Sequence, residues 1–226
     1  NGIAKRHMGL AGRASYNWNY RYFADFNFGY NGSENFAPDK RFGVFPAGSI
    51  GWVISEEKFW KPIKPIVNYM KFRVSMGLVG NDKVGGSRFM YMSDPYQADD
   101  NNAMGGGKFG HGYYFGINNS SLIMGAYESA KNNPEVTWEK AFKQNYGADF
   151  TLLNERLNVS VDYYKEKRKD ILLRDYTAPG ILGFITPYAN MGRVDSWGWE
   201  LAIKWNDRIG DKFRYWVGVN LSNNEN

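Results

Sequence analysis

The stretch RLNVSVDYYKEKRKDILL, residues 156–173, decides the fold class of this chain. From Leu157 to Tyr163 every second residue is apolar or aromatic and those between are polar, which is the period of a β-strand with one apolar face. Strands of soluble proteins commonly hold about five or six residues, whereas a tilted strand that crosses a bilayer needs about nine to eleven. The length of the run therefore predicts a strand that crosses a membrane and leaves it near Glu166.

The composition favours β structure and excludes several kinds of chemistry. The 226 residues include 26 Gly, 16 Tyr, 15 Phe and 8 Trp but no Cys. Rings suit a pleated surface and Gly suits tight bends, so the chain is predicted to be all-β, and the lack of Cys removes disulfides and thiolate sites. The net charge is +5, but 28 basic residues are mixed with 23 acidic ones, so an ordinary charged surface is favoured over a nucleic-acid partner.

The same alternation recurs along the chain and predicts an antiparallel sheet. Eight long strands are predicted at residues 8–18, 22–32, 44–54, 69–78, 138–152, 156–174, 196–206 and 213–222. Tight links, with residues 55–68 as a longer member, alternate with long segments at 33–43, 79–137 and 175–195. Outer-membrane barrels have short periplasmic turns and long extracellular loops, so 79–137 is predicted to be a long extracellular loop region, with short strands near 88–92 and 112–117.

One face of these strands is rich in aromatic and aliphatic residues and the other in Asn, Ser, Asp, Arg and Gly, as in a transmembrane barrel with a wet lumen. Seven charged residues are predicted to face that lumen: Arg13, Asp25, Arg73, Asp149, Asp162, Glu200 and Arg214. A soluble sandwich also alternates. The alternative is therefore a soluble β-rich carbohydrate-binding or surface-adhesion module, in which the aromatic face would be an internal core.

Three cations follow the predicted aromatic girdle at Tyr163 and Tyr164. Lys165, Lys167 and Arg168 are predicted to lie at the depth of anionic head groups and to bind the phosphates of outer-membrane lipid and lipopolysaccharide. A solvated extension of the sheet explains the same charges equally well.

Several blocks of the sequence, in order and with similar spacing, resemble the C-terminal barrel region of SusC/RagA-type TonB-dependent outer-membrane transporters. The blocks are FNFGYNGSENFAPDKRFGVFPAGSIGWVISEEKFW (26–60), GLVGNDKVGG (77–86), NPEVTWEKAFKQNYGADFTLLNERLNVSVDYYKEKRKDILL (133–173) and PYANMGRVDSWGWELAIKW (187–205).

The resemblance implies a barrel of 22 strands in the cell outer membrane, of which residues 1–226 would supply about eight, with the N-terminal plug domain absent from them. It also implies import of glycans or peptides, a SusD-like surface lipoprotein as a lid, and energy relayed by the TonB complex through a region N-terminal to this one.

Residues in the long loop region are the candidates for ligand contact. Aromatic side chains suited to stacking on sugars or to contacting the lid are Tyr91, Tyr96, Phe109, Tyr113 and Tyr114, although packing of the loop onto its neighbours explains them as well. Asp94, Asp99 and Asp100 offer hard oxygen ligands for calcium, but without EF-hand spacing a solvated acidic loop is favoured. His7 and His111 have no evident catalytic partners, so neither an enzyme nor a cofactor is expected.

Overall fold

The structure, a computed structural model, describes part of the chain. The described residues are 6–83, 88–92, 97–98, 113–119, 121–123, 126–127, 132–174, 176–177, 179, 186–210 and 212–226. Within them, no helix is both long enough and apolar enough to cross a membrane.

Eight long antiparallel strands form one sheet. They are β1 (His7–Trp18), β2 (Tyr22–Ser33), β3 (Phe42–Val53), β4 (Val67–Asn81), β9 (Glu139–Leu152), β10 (Leu157–Arg174), β11 (Tyr188–Ile209) and β12 (Phe213–Glu225). Each pairs with the next long strand along the chain, so the order in the sheet is β1-β2-β3-β4-β9-β10-β11-β12. The eight predicted strands and their antiparallel arrangement are therefore confirmed.

Short elements lie in the connections. Four short strands form two separate ribbons, in which β5 (Gln97–Ala98) pairs with β8 (Ala126–Tyr127), and β6 (Tyr113–Phe115) pairs with β7 (Ser121–Ile123). Three 3-10 helices span Ile54–Glu56, Lys58–Trp60 and Ile117–Asn119. The short strand predicted near residues 112–117 is present as β6, whereas the one predicted at 88–92 is wrong, since residues 90–92 form a turn and a bend.

The connections divide the sheet into two ends. The turn end holds the links between β1 and β2, β3 and β4, β9 and β10, and β11 and β12, and the loop end holds the described residues of the connections between β2 and β3, β4 and β9, and β10 and β11. At the turn end, Asn19 and Tyr20 both have positive φ, as a tight hairpin turn between twisted strands requires, and the Tyr20 amide donates to Asn17 Oδ1 at 2.9 Å.

At the loop end the structure corrects the prediction that residues 175–195 are a loop. Strand β11 begins at Tyr188, which pairs with Arg174, so the hairpin of β10 and β11 continues beyond the pairing of β10 with β9 at Lys169. The register shifts between Arg168 and Ile171, where Asp170 has a positive φ of 59°. Such a bulge breaks the period of two, which is the signal that a prediction from sequence relies on.

The two faces of the sheet differ sharply. One, the apolar face, remains open even on central strands: Ile50 of β3 lies between Ala24 and Val74 yet is 63% exposed, and Phe26 is 54% exposed. A soluble sandwich would cover such a face, because exposed apolar area of this extent is unfavourable in water. The opposite, polar face carries Arg73, Asp149 and Asp162 of the central strands.

Candidate functional site

An ion-pair network on the polar face joins three strands. Arg73 of β4 donates from Nη2 to Asp162 Oδ2 of β10 at 2.7 Å and from Nε to Asp149 Oδ2 of β9 at 3.1 Å. Ser160 donates to Asp149 Oδ1 at 2.7 Å and accepts from Arg73 at 3.1 Å. A guanidinium group serves this purpose well because its fixed fork of donors can contact two carboxylates at once.

Gly147 makes this network possible. It lies between Arg73 and Asp162 in the register of the sheet, so the arginine side chain crosses directly over it. A Cβ at Gly147 would lie 2.7 Å from Arg73 Nε and 2.8 Å from Asp162 Oδ1, which leaves no room for any side chain. The glycine therefore has a steric role here.

A second pair lies on the same face near the edge of the sheet. Arg13 of β1 donates to Asp25 Oδ1 of β2 from Nη2 at 2.9 Å and from Nε at 3.3 Å, and Ser15 donates to the same oxygen. Asp25 lies directly opposite Ser49 of the next strand, β3. Arg73 and Arg13 are thus each paired with carboxylates of the same face.

A third network lies toward the loop end of the polar face. Arg168 donates to Glu166 Oε1 at 2.7 Å and to Glu139 Oε1 at 3.1 Å, and Lys143 lies 3.2 Å from Glu166 Oε2. Arg168 therefore lies on the opposite face from Lys165 and Lys167, which follow Tyr163 on the apolar face. The predicted head-group role does not fit Arg168, since its guanidinium is held by two carboxylates of the polar face.

Two further predicted residues, Glu200 and Arg214, also lie on the polar face. Glu200 lies opposite Asp162 and Arg214 opposite Arg208, so all seven charged residues predicted to face one way do lie on one face. Among the described residues neither Glu200 nor Arg214 makes an ion pair within 4.0 Å, and both side chains are exposed. That this face lines a lumen stays a prediction.

A hydrophobic cluster gathers the long connections at the loop end. This loop cluster consists of Phe36, Met90, Val136, Trp138 and Leu172, with Phe45 and Tyr188 packed against it. Phe36 and Val136 are completely buried, and the Trp138 ring contacts those of Phe36 and Phe45 at centroid distances of 5.3 and 5.1 Å. Two connections that are far apart in sequence thereby pack with the end of β10 as one unit.

Hydrogen bonds complete the loop cluster. Asn190 of β11 donates to the carbonyl oxygens of Thr137 and Asp170 at 2.8 and 2.7 Å and accepts from the Thr137 amide at 2.8 Å. Trp138 Nε1 donates to the Arg41 carbonyl oxygen at 3.1 Å, which leaves the buried indole satisfied. Backbone groups of non-repetitive segments are thus paired, as a buried loop requires.

Charged groups brace the same end of the sheet. Ser33 donates to Asp82 Oδ2 at 2.6 Å and Asn35 donates to the Asp82 carbonyl oxygen at 2.9 Å. Burial alone would raise the pKa of Glu34, but the ion pair with Arg88, the backbone amide of Arg6 and the nearby His7 together outweigh burial and lower that pKa.

The structure describes only part of the predicted ligand site. Tyr91 is half-buried next to Met90 of the loop cluster, which fits the packing alternative for this residue. Tyr113 and Tyr114 belong to β6, of which only the backbone is described. Tyr96, Phe109, His111 and the calcium candidates Asp94, Asp99 and Asp100 lie outside the described residues. Within the described part of the chain, no group of three or more acidic, His or Cys side chains is placed to hold a metal ion.

Aromatic residues mark both ends of the apolar face. At the turn end Trp18 stacks on Tyr22, and Tyr22 on Trp52, with centroids 5.7 and 6.4 Å apart. At the loop end Tyr163 lies between Tyr146 and Trp197 at 6.4 and 6.3 Å. Two such belts that bound an exposed apolar band correspond to the two interfaces of a bilayer.

Glu57 supports the belt at the turn end. Its carboxylate accepts from the Tyr22 hydroxyl at 2.6 Å and from Trp52 Nε1 at 3.3 Å, and Arg21 lies 3.8 Å away. The hydrogen bond from Tyr22, reinforced by Trp52 and Arg21, lowers the pKa of Glu57 in spite of partial desolvation.

Long antiparallel strands, an open apolar face between aromatic belts, an ion-paired polar face, and short turns opposite packed loops define the wall of an outer-membrane β-barrel. Comparison with known proteins identifies the family. Residues 96–225 match the model of the TonB dependent receptor-like β-barrel. The chain belongs to this family, whose members are β-barrel proteins of the outer membrane.

Curated relatives support this family assignment. The chain is 31% identical over 217 residues to TonB-dependent receptor P39 of Formosa agariphila, covering 96% of this chain and 19% of the relative. It is 29% identical over 215 residues to TonB-dependent receptor SusC of Bacteroides thetaiotaomicron, covering 95% and 20%. The chain therefore spans about a fifth of the length of these curated relatives.

Solved structures show the same fold. A chain of the RagAB peptide transporter superposes with a TM-score of 0.77 at 21% identity, covering 96% of this chain and 22% of that one. The RagAB peptide importer in its closed-closed state gives a TM-score of 0.76 with the same identity and coverage. The suspected resemblance to SusC and RagA is thus confirmed.

Proposed function

We propose that this chain forms part of the barrel wall and extracellular loops of a TonB-dependent importer of glycans or peptides. The observation that carries the proposal is the exposed apolar face on a sheet of eight long strands, together with membership of the receptor family. Such a sheet is stable only where lipid covers that face.

In this proposal residues 1–226 are all barrel, the seven charged residues of the polar face line the lumen, and residues 79–137 form an extracellular loop region. The plug lies in another part of the intact protein, a SusD-like lipoprotein covers the loop end, and the TonB complex supplies energy from the periplasm. Barrel, loops and partners act by binding and movement, without catalysis or a cofactor. The name of the RagAB peptide transporter supports the peptide class, and the glycan class rests on the resemblance to SusC/RagA-type transporters.

Uptake by cells tests the proposal. A strain that lacks the intact receptor should no longer accumulate the receptor's substrate, which is either a labelled oligosaccharide or a labelled peptide. The receptor gene on a plasmid should restore that uptake only while TonB is present. Uptake that is unchanged by loss of the receptor, or restored without TonB, would contradict the proposal.

A soluble binding module is not supported. It requires the aromatic face to be an internal core, whereas Ile50 and Phe26 on central strands of the sheet are more than half exposed.

A further inference from the structure

The apolar face changes character above the aromatic belt at the loop end. Five cations lie there on three adjacent strands: Lys140 of β9, Lys165, Lys167 and Lys169 of β10, and Arg193 of β11. Lys140 is directly opposite Lys169, and Lys167 is opposite Asp195 two residues after Arg193. We call these five residues the outer cation patch.

The patch has little negative charge of its own. On this face Asp195 pairs with Arg193 at 2.8 Å. Among the described residues the four lysines make no ion pair within 4.0 Å, whereas Lys143 and Arg168 of the opposite face are paired with carboxylates. Besides Asp195, the described acidic residue near this edge of the patch is Glu225 of β12, which lies opposite Trp197. Excess positive charge of this kind attracts an anion.

Spacing and surroundings specify the anion. Adjacent strands lie about 4.8 Å apart and residues two apart along a strand about 6.6 Å apart, so one phosphate group can contact two or three of these side chains. Exposed apolar side chains adjoin the patch: Phe142 lies directly opposite Lys167, and Tyr163 precedes Lys165 on the same face, and they are 39% and 42% exposed. A ligand that satisfies both surfaces carries phosphate above and acyl chains below.

We propose that the outer cation patch binds the phosphate groups of a phosphorylated glycolipid of the lipopolysaccharide class, with its acyl chains lying along the aromatic belt. The proposal rests on the proposed orientation, in which the loop end is extracellular, and is independent of which nutrient is imported. Lysine is a point charge suited to phosphate, and the four lysines are free to turn toward the lipid because the polar face does not engage them.

The test uses the intact receptor purified from the outer membrane in mild detergent. Lipopolysaccharide retained per protein is measured for the wild type, for the triple variant Lys165→Gln, Lys167→Gln and Lys169→Gln, and for the matched triple variant Lys58→Gln, Lys61→Gln and Lys64→Gln. The second set removes the same charge from exposed positions at the turn end. We expect at least a fivefold loss of retained lipid in the first variant and none in the second.

Two further measurements complete the test. Lipid rebinding to delipidated receptor should fall when the lipid is enzymatically dephosphorylated, and millimolar inorganic phosphate should not displace it. If the first triple variant takes up nutrient as the wild type does, the proposed import function stands. The lipid measurement then decides the lipid site separately. Equal retention in both triple variants, equal loss in both, or displacement by free phosphate would overturn the lipid site. Retained heat-modifiable mobility in electrophoresis verifies that the variants are folded.

Discussion

The two ends of the sheet solve the problem of joining strands in different ways. At the turn end, local geometry suffices, as in the link where Asn19 and Tyr20 adopt positive φ. At the loop end, two connections depend on one another through the loop cluster, in which Phe36 contacts Trp138 from about a hundred residues away. The links of the turn end contact one another through a few polar groups, as Glu57 does with Tyr22 and Arg21, whereas the loop cluster is a buried apolar core, so a single substitution there should affect both connections.

The largest effect is expected from Trp138→Ala, which tests whether the loop cluster is cooperative. The change removes a ring that is only 6% exposed and leaves the Arg41 carbonyl oxygen without its donor, so the intact receptor should lose about 3–5 kcal/mol of unfolding free energy. Denaturant titration in detergent measures the loss, and limited proteolysis should show both connections that supply the cluster, 34–41 and 82–138, cleaved faster.

The control is Trp18→Ala at the turn end, where the side chain is 57% exposed. It should leave the susceptibility of the long connections unchanged. Selective cleavage of only one connection in Trp138→Ala would refute the cooperative loop cluster.

Replacing Asn190 by Ala separates polar bracing from apolar packing in the loop cluster. Three hydrogen bonds to Thr137 and Asp170 disappear, and we expect a loss of about 1–3 kcal/mol. Hydrogen exchange should show the Thr137 amide losing protection. Asn223→Ala, at an exposed position of β12, is the matched control and should leave this amide protected.

On the polar face, Gly147→Ala tests whether Arg73 needs an open path to Asp162. The new methyl group would displace the guanidinium, and overpacking of this kind costs about 1–3 kcal/mol. Gly48→Ala is the control, because its Cβ would lie no closer than 3.6 Å to Asp25 O. Denaturation midpoints that fall equally for both variants would show that Gly147 has no special steric role.

The smallest expected effect concerns Glu57 at the turn end. Because its pKa is lowered in the folded protein, its contribution to stability is present above the ordinary carboxyl pKa and is lost as the pH falls through the lowered value. Glu57→Gln should therefore reduce the pH dependence of the melting temperature on the acid side. The adjacent Glu56→Gln, whose partner is the exposed Lys64, should keep the wild-type profile.

Much of the sheet can be predicted from sequence because its alternation is local. A period of two is visible in β10 from Leu157 onward, and it also assigns the seven charged residues to one face. The same period separates Arg168 from Lys167, which are adjacent in sequence and so point to opposite faces. The prediction that both residues bind lipid head groups used only their depth in the membrane and not the face of the sheet. It therefore missed the pairing of Arg168 with Glu139 and Glu166.

The loop cluster could not be predicted in this way. Phe36, Trp138 and Leu172 come from three separate segments, and no period links them. The apolar residues in NFAP (35–38) and VTW (136–138) were a signal, since both motifs interrupt otherwise polar loops, but their partners are defined only by tertiary packing. The start of β11 at Tyr188 could not be predicted from the sequence either. Here the reason is the bulge at Asp170, which changes the register of the hairpin.

The path of Arg73 across Gly147 has a mechanical consequence. A slip of β4 by one residue against β9 would move Arg73 about 3.3 Å along the strand and turn its side chain to the face opposite the carboxylates of β9 and β10. Backbone hydrogen bonds can re-form after such a slip, but this contact cannot. Arg73 therefore acts as a diagonal brace that resists shear between three strands when a load is applied along the wall.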